Sequence, residues 1–596
     1  MYLSFPVKVF AGLGRLAAFV VLGTFVLAAQ TPPPRAQAAS EQSRAKALYS
    51  EGMSAVQHGD LDSARTAFEK LLRLAPNSPE AHNSLGWVLL SQGQPETAIS
   101  QFRSALKLRP DFPQAHVNLA NALIQTRDFA EAESEAGEAV RLAPKDSESH
   151  RTLARVMSFR GNTSGSIEEM QTAVRLDPQR PDLHDDLGSL LEQTSRTDEA
   201  ATQFSEALRL QPNFPSAELH LGIVRWQQKS LPEAHELLAK AAQSAPGNAQ
   251  VHYYFGRVLQ DEQLSAPAIE EMKKAVAIQP EFAEAQLSLG LLSQRTGDAE
   301  GAVAAFRRSV QLRPQDPDAH NNLGLAFIQT GDAASSIPEF ESAIRMRPGD
   351  SGYLANLGTA YLQKTDFDSA ITQFQAALKI APDDPTSHYD LGLALKLKDR
   401  LPDAIAEFKK AAELAPDQPD IHYTLGVTLW QKGDFGAAED ELRAATQAKP
   451  DYAEAYYTLG TVLKQDGKLP DAAAALRKAI SLQPDLVGAH TNLAGILRQL
   501  GDTSGADEES RRAQEIFKKS NGLQAATFNT NSGKRLLQAG DLDGAISQFR
   551  SAIKLAPDYA PAHLQLAQAL DRKGEKVEAE QESRKAAALD AAAKQQ

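Results

Sequence analysis

Apolar and polar positions recur along this chain with a single period. Proline marks it: from Pro76 to Pro484 it falls at thirteen sites, each 34 residues after the last. With that proline as position 32, position 7 is commonly Leu. Position 8 is Gly in twelve units and Ala in four (Ala120, Ala154, Ala494, Ala567), and position 20 is Ala except at Ser166 and Ser336. Phe recurs at position 24, from Phe68 to Phe549. A mid-helix Gly costs about 1 kcal/mol relative to Ala, so twelve of them need a packing reason, and close approach of two helices is that reason. Proline at 32 cannot continue a helix and turns the residue before it toward extended backbone. Gly at position 15 (Gly59, Gly93, Gly297, Gly433, Gly540) supplies a left-handed stop. Each unit therefore reads as two helices, and the whole as a solenoid.

Segments such as HNSLGWVLLSQGQPETAISQFRSALKLRP (82–110) carry every one of these marks, and through them the chain resembles the tetratricopeptide repeat family. The resemblance spans 16 units from about Ala45 to Ala593. It implies an all-α fold: a right-handed superhelical solenoid of about 16 two-helix, 34-residue repeats, whose first helices line a concave groove for extended peptides. One departure stands out at position 4, where the family often has Trp and this chain has His in ten units. Such a His reads as a layer residue in place of an aromatic. Sixteen units fill 544 of the 596 residues, which leaves no stretch for a catalytic domain. The expected function is a non-enzymatic scaffold for other proteins, without a cofactor.

The period breaks once. Unit 14 has Lys518 where Pro belongs and Ser510 where Phe belongs, and its EESRRA (508–513) resembles QESRKA (581–586) in the last unit. Polar second helices belong at the ends of arrays, where capping repeats face water. The expected organisation is thus an export segment with a Pro-rich spacer over 1–38, fourteen repeats over 39–520, a hinge at 521–525 and two further repeats over 526–593.

The first forty residues differ from the rest. Lys8 and Arg15 precede an uncharged 14-residue run, Leu16 to Ala29, and Ala36-Gln37-Ala38 follows as a cleavage-like site. That length suits a secretory core and falls short of the roughly 20 residues of a spanning helix. The reading is an exported protein of the periplasm, cell surface or exterior. The alternative is an uncleaved anchor over residues 9–29, the only route to a membrane. Lys and Arg number 62 against 76 Asp and Glu, a net charge of −14, which repels phosphate backbones and excludes nucleic acid as partner. Cysteine is absent, so disulfides and thiolate chemistry are excluded.

No catalytic constellation emerges. His235-Glu236 lacks the second His of a metalloprotease helix, and Glu168-Glu169 and Glu508-Glu509 fit solvated helix faces. The ten position-4 histidines lie at least a helix-packing distance apart, roughly 8–10 Å, whereas zinc ligands converge within about 2.1 Å of one ion. Binding candidates come from the groove positions that the resemblance assigns. Tyr253, Tyr389, Tyr423 and Tyr457 occupy position 5, and Trp226 and Trp430 occupy position 12, beside Lys396 and Lys464. Aromatic anchors with an exposed flank suit recognition, so these eight residues are the candidate site. An extended protein segment is the expected ligand, with sugar rings stacked on the tyrosines as the alternative class; the pattern disfavours a small molecule.

Overall fold

The computed structural model describes residues 35–593, with side chains over 41–592. The expected export segment lies outside the described residues except for its last four, which open the first helix, Arg35–Gln57. Thirty-one helices and no strand make up the described residues. They pair as the period demands. In repeat 2, for example, Pro79–Ser91 and Pro95–Leu108 form the pair.

Local chemistry sets the ends of these helices. Asp at position 16 caps many second helices: Asp60, Asp128, Asp298 and Asp434 each accept a hydrogen bond from the amide three residues on, worth about 1 kcal/mol apiece. The left-handed stop at position 15 is more general than its glycines. All sixteen repeats adopt it, ten with Gly and six with other residues, such as Lys229 at φ 65° and Thr365 at φ 60°. The turn is dictated by the repeat, and six residues bear its cost of about 1–2 kcal/mol each.

Between the paired helices, position 8 meets position 24. A Cβ on Gly86 would stand 2.7 Å from Phe102 Cε1, and one on Gly290 would stand 2.5 Å from Phe306 Cε1. The glycines are thus the slots into which the fully buried Phe rings fit. Where position 8 is Ala, its partner sixteen residues on is small or flexible: Ala120 with Ala136, Ala154 with Met170, Ala494 with Ser510 and Ala567 with Ser583. One volume is shared between the two columns.

The position-4 histidines do something other than fill a layer. In all ten, Nδ1 lies 2.5–2.8 Å from a Glu or Gln side-chain oxygen nineteen residues on, in the second helix. Nε2 lies 2.8–3.2 Å from the carbonyl of the proline six residues back. Each His therefore ties together two helices and the preceding turn. Where the partner is Glu, both ring nitrogens face acceptors, and the clasp is complete only when the ring is cationic and donates twice. Glu169 and Glu509, read above as solvated, belong to the clasps of His150 and His490.

The described residues divide into two compact units, repeats 1–8 up to Arg313 and repeats 9–16 from Pro314. At 521–525, where the sequence suggests a hinge, a single helix runs from Thr503 to Gln538. The segment contains no proline, so its extra residues are absorbed as helical turns. Gly522 does not break the helix either: a Cβ there would lie 2.6 Å from the Leu555 carbonyl oxygen, so this glycine permits close contact with repeat 15. No described helix is long and apolar enough to cross a membrane.

Candidate functional site

Within the second unit, Pro385–Leu397 carries Tyr389 and Lys396, Pro419–Lys432 carries Tyr423 and Trp430, and Ala453–Gln465 carries Tyr457 and Lys464. These are the first helices of three successive repeats. A seven-residue spacing is two turns, so positions 5 and 12 share a helix face. All six side chains are partly buried, and the four aromatics pack against the core beneath them.

The structure also links them from repeat to repeat. Tyr389 Oη lies 3.1 Å from Thr424 Oγ1, and the Tyr423 ring lies 5.2 Å from that of Tyr452. Trp430 Nε1 donates to Gln465 Oε1 at 2.6 Å. Tyr457 leans over Gly488, where a Cβ would stand 2.8 Å from its hydroxyl. Lys464 Nζ donates to Asn492 Oδ1 at 3.3 Å. Tyr389, Trp430, Tyr457 and Lys464 thus each touch the repeat that follows, and Tyr423 packs on the last residue of its own repeat, so these side chains take part in the packing of the array. Burial holds the Lys396 ammonium below the usual lysine range. On the same helix, burial, with Asp384 adding to it, pushes the Asp390 carboxyl up to about 6.

Trp226 and Tyr253, in the first unit, come together around one cation. The Arg257 guanidinium sits 5.0 Å from the Trp226 ring centre and 5.9 Å from that of Tyr253, and donates to Tyr253 Oη at 2.9 Å. Trp226 Nε1 donates to Asp261 Oδ2 at 2.8 Å, the same link to the following repeat that Trp430 makes to Gln465. Tyr253 is buried, against Tyr254 and Phe282. Burial pushes the Tyr254 hydroxyl up to about 12.

A charged patch on the same first-helix positions escaped the sequence reading, which followed the aromatics and the two lysines beside them. Arg151 donates to Asp186 at 2.6 Å and to Asp182 at 2.9 Å, and Arg180 bridges Asp182 and Glu148. Asp185 accepts from Ser216 at 2.6 Å and from His220 Nδ1 at 2.9 Å. Burial works against the charge on Arg151, but Asp186, Glu148 and Asp182 outweigh it and raise its pKa. Burial also opposes a charged His220, and Asp185 outweighs it in the same way. The signal was present: Arg151 and Asp185 stand at position 5, Asp186 and His220 at position 6, where an uncharged residue would serve a mere spacer. Among the described residues no cluster of three or more His, Asp or Glu is placed to hold a metal.

Comparison with known families decides the class. The profile of the cilia and flagella-associated protein 70 C-terminal domain, a tetratricopeptide domain, matches residues 13–254. A tetratricopeptide repeat profile matches 255–317, 294–351, 356–419, 423–487 and 457–517, and a further one matches 533–574. The chain belongs to the tetratricopeptide repeat proteins. No curated protein matches it. Among solved structures it is similar to Cut9 with Hcn1 from the APC/C (14% identity, 90% of this chain and 98% of that one, TM-score 0.34). Yeast Tom70 gives 17%, 72%, 97% and 0.30. MamA from Desulfovibrio magneticus RS-1 gives 22%, 28%, 96% and 0.27. As a tetratricopeptide array the chain falls in a class of protein-interaction scaffolds.

Proposed function

We propose that this tetratricopeptide protein is a non-enzymatic adaptor that holds an extended protein segment along the first helices of repeats 11–13. The observation that carries this reading is the row of partly buried rings, Tyr389, Tyr423, Trp430 and Tyr457, spaced one repeat apart with lysines beside them. Rings held at one edge by packing within the array are pre-organised, so a ligand loses little side-chain entropy in docking on them. Lys396, kept from full solvation and adjacent to the rings, favours an acidic residue in that segment. The adaptor works in the cell envelope, a setting supported by the 14-residue apolar run after Lys8 and Arg15.

Selection of extended peptides from a display library on the full chain tests the groove. Recovered peptides should be rich in aromatic or apolar anchors with interspersed Asp or Glu. A Tyr423→Ala/Trp430→Ala variant should bind them at least tenfold more weakly, as for paired aromatic anchors, while its far-UV spectrum stays helical. Equal binding by both proteins sinks the assignment, as does binding of glycans in place of peptides on an array. N-terminal sequencing of protein from its host should begin near Gln30 or Ala39; an intact Met1 in the cytosol would retire the envelope placement.

A further inference from the structure

The Thr503–Gln538 helix replaces a junction that every other repeat makes differently. Elsewhere a second helix stops at position 30, a short turn follows, and the next first helix folds back beside it. Here the second helix of repeat 14 and the first helix of repeat 15 are one rod, so neither covers the other.

The burial of position 3 records the consequence. In fourteen of the sixteen repeats this residue is buried, usually as Ala. It is exposed only in repeat 1 (Ala47), the first among the described residues, and in repeat 15, where Phe528 is 67% exposed. Phe517, one residue past the position where other second helices end, is 58% exposed. Eleven residues of helix bring Phe517 and Phe528 within about 20° of one another, about 16 Å apart along the rod. Two phenylalanines therefore stand on one uncovered face, whereas the position-3 residue of fourteen other repeats is buried.

The charge around them is equally out of keeping. From Ile516 to Gln538 there is no Asp or Glu, while Lys518, Lys519, Lys534 and Arg535 give +4 on a chain of net −14. All four are exposed, and none enters an ion pair among the described residues. We propose that this face is a second docking surface, for an acidic amphipathic helix of another protein, which lies across Phe517 and Phe528 and meets with its carboxylates Arg535, on the same line of the rod, and Lys518 and Lys534 on its two flanks. A helix is the shape that closes this face elsewhere in the chain, and acidic charge is what the patch lacks. A second copy is disfavoured because an isologous contact centred here sets +4 against +4. A bilayer is disfavoured because Asn521 and Gln524 separate the two rings on that face.

The test is a display library of helical 20-residue peptides, apolar at i, i+3, i+4 and i+7 and randomised elsewhere, selected on the full-length chain. Binders should be enriched in Asp and Glu. Their affinity should fall at least tenfold for Phe517→Ser/Phe528→Ser and for Lys518→Glu/Arg535→Glu, two variants that change only exposed side chains, and should fall again between 50 and 300 mM salt. Recovery of neutral or basic peptides, or equal binding by either variant, would overturn the proposal. So would concentration-dependent dimerisation of the wild type that Phe528→Ser abolishes, which assigns the face to a second copy. Flotation with phosphatidylglycerol vesicles, lost in the same variant, would assign it to a membrane.

Discussion

At the scale of single residues, the repeat is written in pairs of columns. Gly290 shows it best, because two principles oppose each other there. Alanine is the better helix former by about 1 kcal/mol, yet its Cβ would press on the Phe306 ring at 2.5 Å, and overpacking costs about 1–3 kcal/mol. Gly290→Ala should therefore loosen the helices Ala283–Arg295 and Ala299–Leu312, seen as faster amide hydrogen exchange. Adding Phe306→Met, after the native Ala154–Met170 pair, should restore much of the protection; faster exchange in the double variant than in the single would refute the pairing. The same pairing was legible in the sequence at sixteen-residue separation, but only as a relation between columns; column by column, Gly suggests merely that two backbones approach. The His clasp was harder to see, because its second acceptor is a backbone carbonyl, which no side-chain pattern records. In His422 the bond to Glu441 raises the pKa, against burial and with help from the Pro416 carbonyl; in His116 burial is the larger influence, and the Glu135 and Pro110 bonds overcome it. A raised folded-state pKa means that the fold favours the cationic ring. This stabilisation is complete below the unfolded value of about 6.5 and fades as pH rises through the higher folded value. His422→Gln copies the native Gln286, which keeps a 3.4 Å bond to the Pro280 carbonyl. The change should cost about 1 kcal/mol near pH 6 and much less at pH 9. Exchange protection of Pro419–Lys432 compared at the two pH values checks it, and a pH-independent difference would show the clasp to be neutral.

At the scale of elements, helix pairing and its phase followed from the proline period, whereas the course of the chain at 521–525 did not. Asn521-Gly522 looks like a turn, and a lost proline with a polar second helix looks like the end of an array. The array does lose its ordinary junction there, as the exposed Phe528 shows. What no pattern announces is that helix continues through the gap, because Ala, Gln, Leu and Lys are good helix formers and tertiary contact settles the matter. Ala526 is buried with Ala552 and Ala562 of the next two helices, Thr530 is buried one turn on, and Gly522 lies against the Leu555 carbonyl. Gly522→Ala discriminates the two roles. If glycine only weakens the rod, alanine should stabilise it by about 1 kcal/mol; if contact with the carbonyl governs, alanine should destabilise repeats 15 and 16, because a backbone oxygen cannot swing aside. The expected result is the second: earlier proteolysis within Leu542–Leu555 and no gain in melting temperature. The candidate site was legible to a similar depth. Periodicity placed Tyr389, Tyr423 and Tyr457 on one face, but the contacts that hold each ring depend on Thr424, Tyr452 and Gly488, residues of no distinctive chemistry in sequence.

At the scale of the whole molecule, packing runs between helices one or two places apart along the chain, so stability is a sum of local terms. Removal of residues 385–418 puts this to a demanding test. The deletion takes out one full period, with the helices Pro385–Leu397 and Leu401–Leu414, and joins Asp384 to Pro419. The new junction reads Ala381-Pro382-Asp383-Asp384 before Pro419, where the native one reads Ala415-Pro416-Asp417-Gln418. His422 would then find the Pro382 carbonyl six residues back in the place of Pro416. Repeat 12 would meet the second helix of repeat 10, whose Ala370, Phe374 and Ala377 correspond in position to the lost Ala404, Phe408 and Ala411. Every contact class is thus re-formed, with one layer fewer. Helicity per residue should stay unchanged, and hydrogen exchange in repeats 2–8 should match that of the intact chain. The proposed peptide should bind more weakly, because Tyr389 and Lys396 leave with the deleted repeat while Tyr423 and Trp430 remain. Collapse of the remaining array on deletion would show that its repeats depend on more than their neighbours, and unchanged peptide affinity would confine the ligand to repeats 12 and 13.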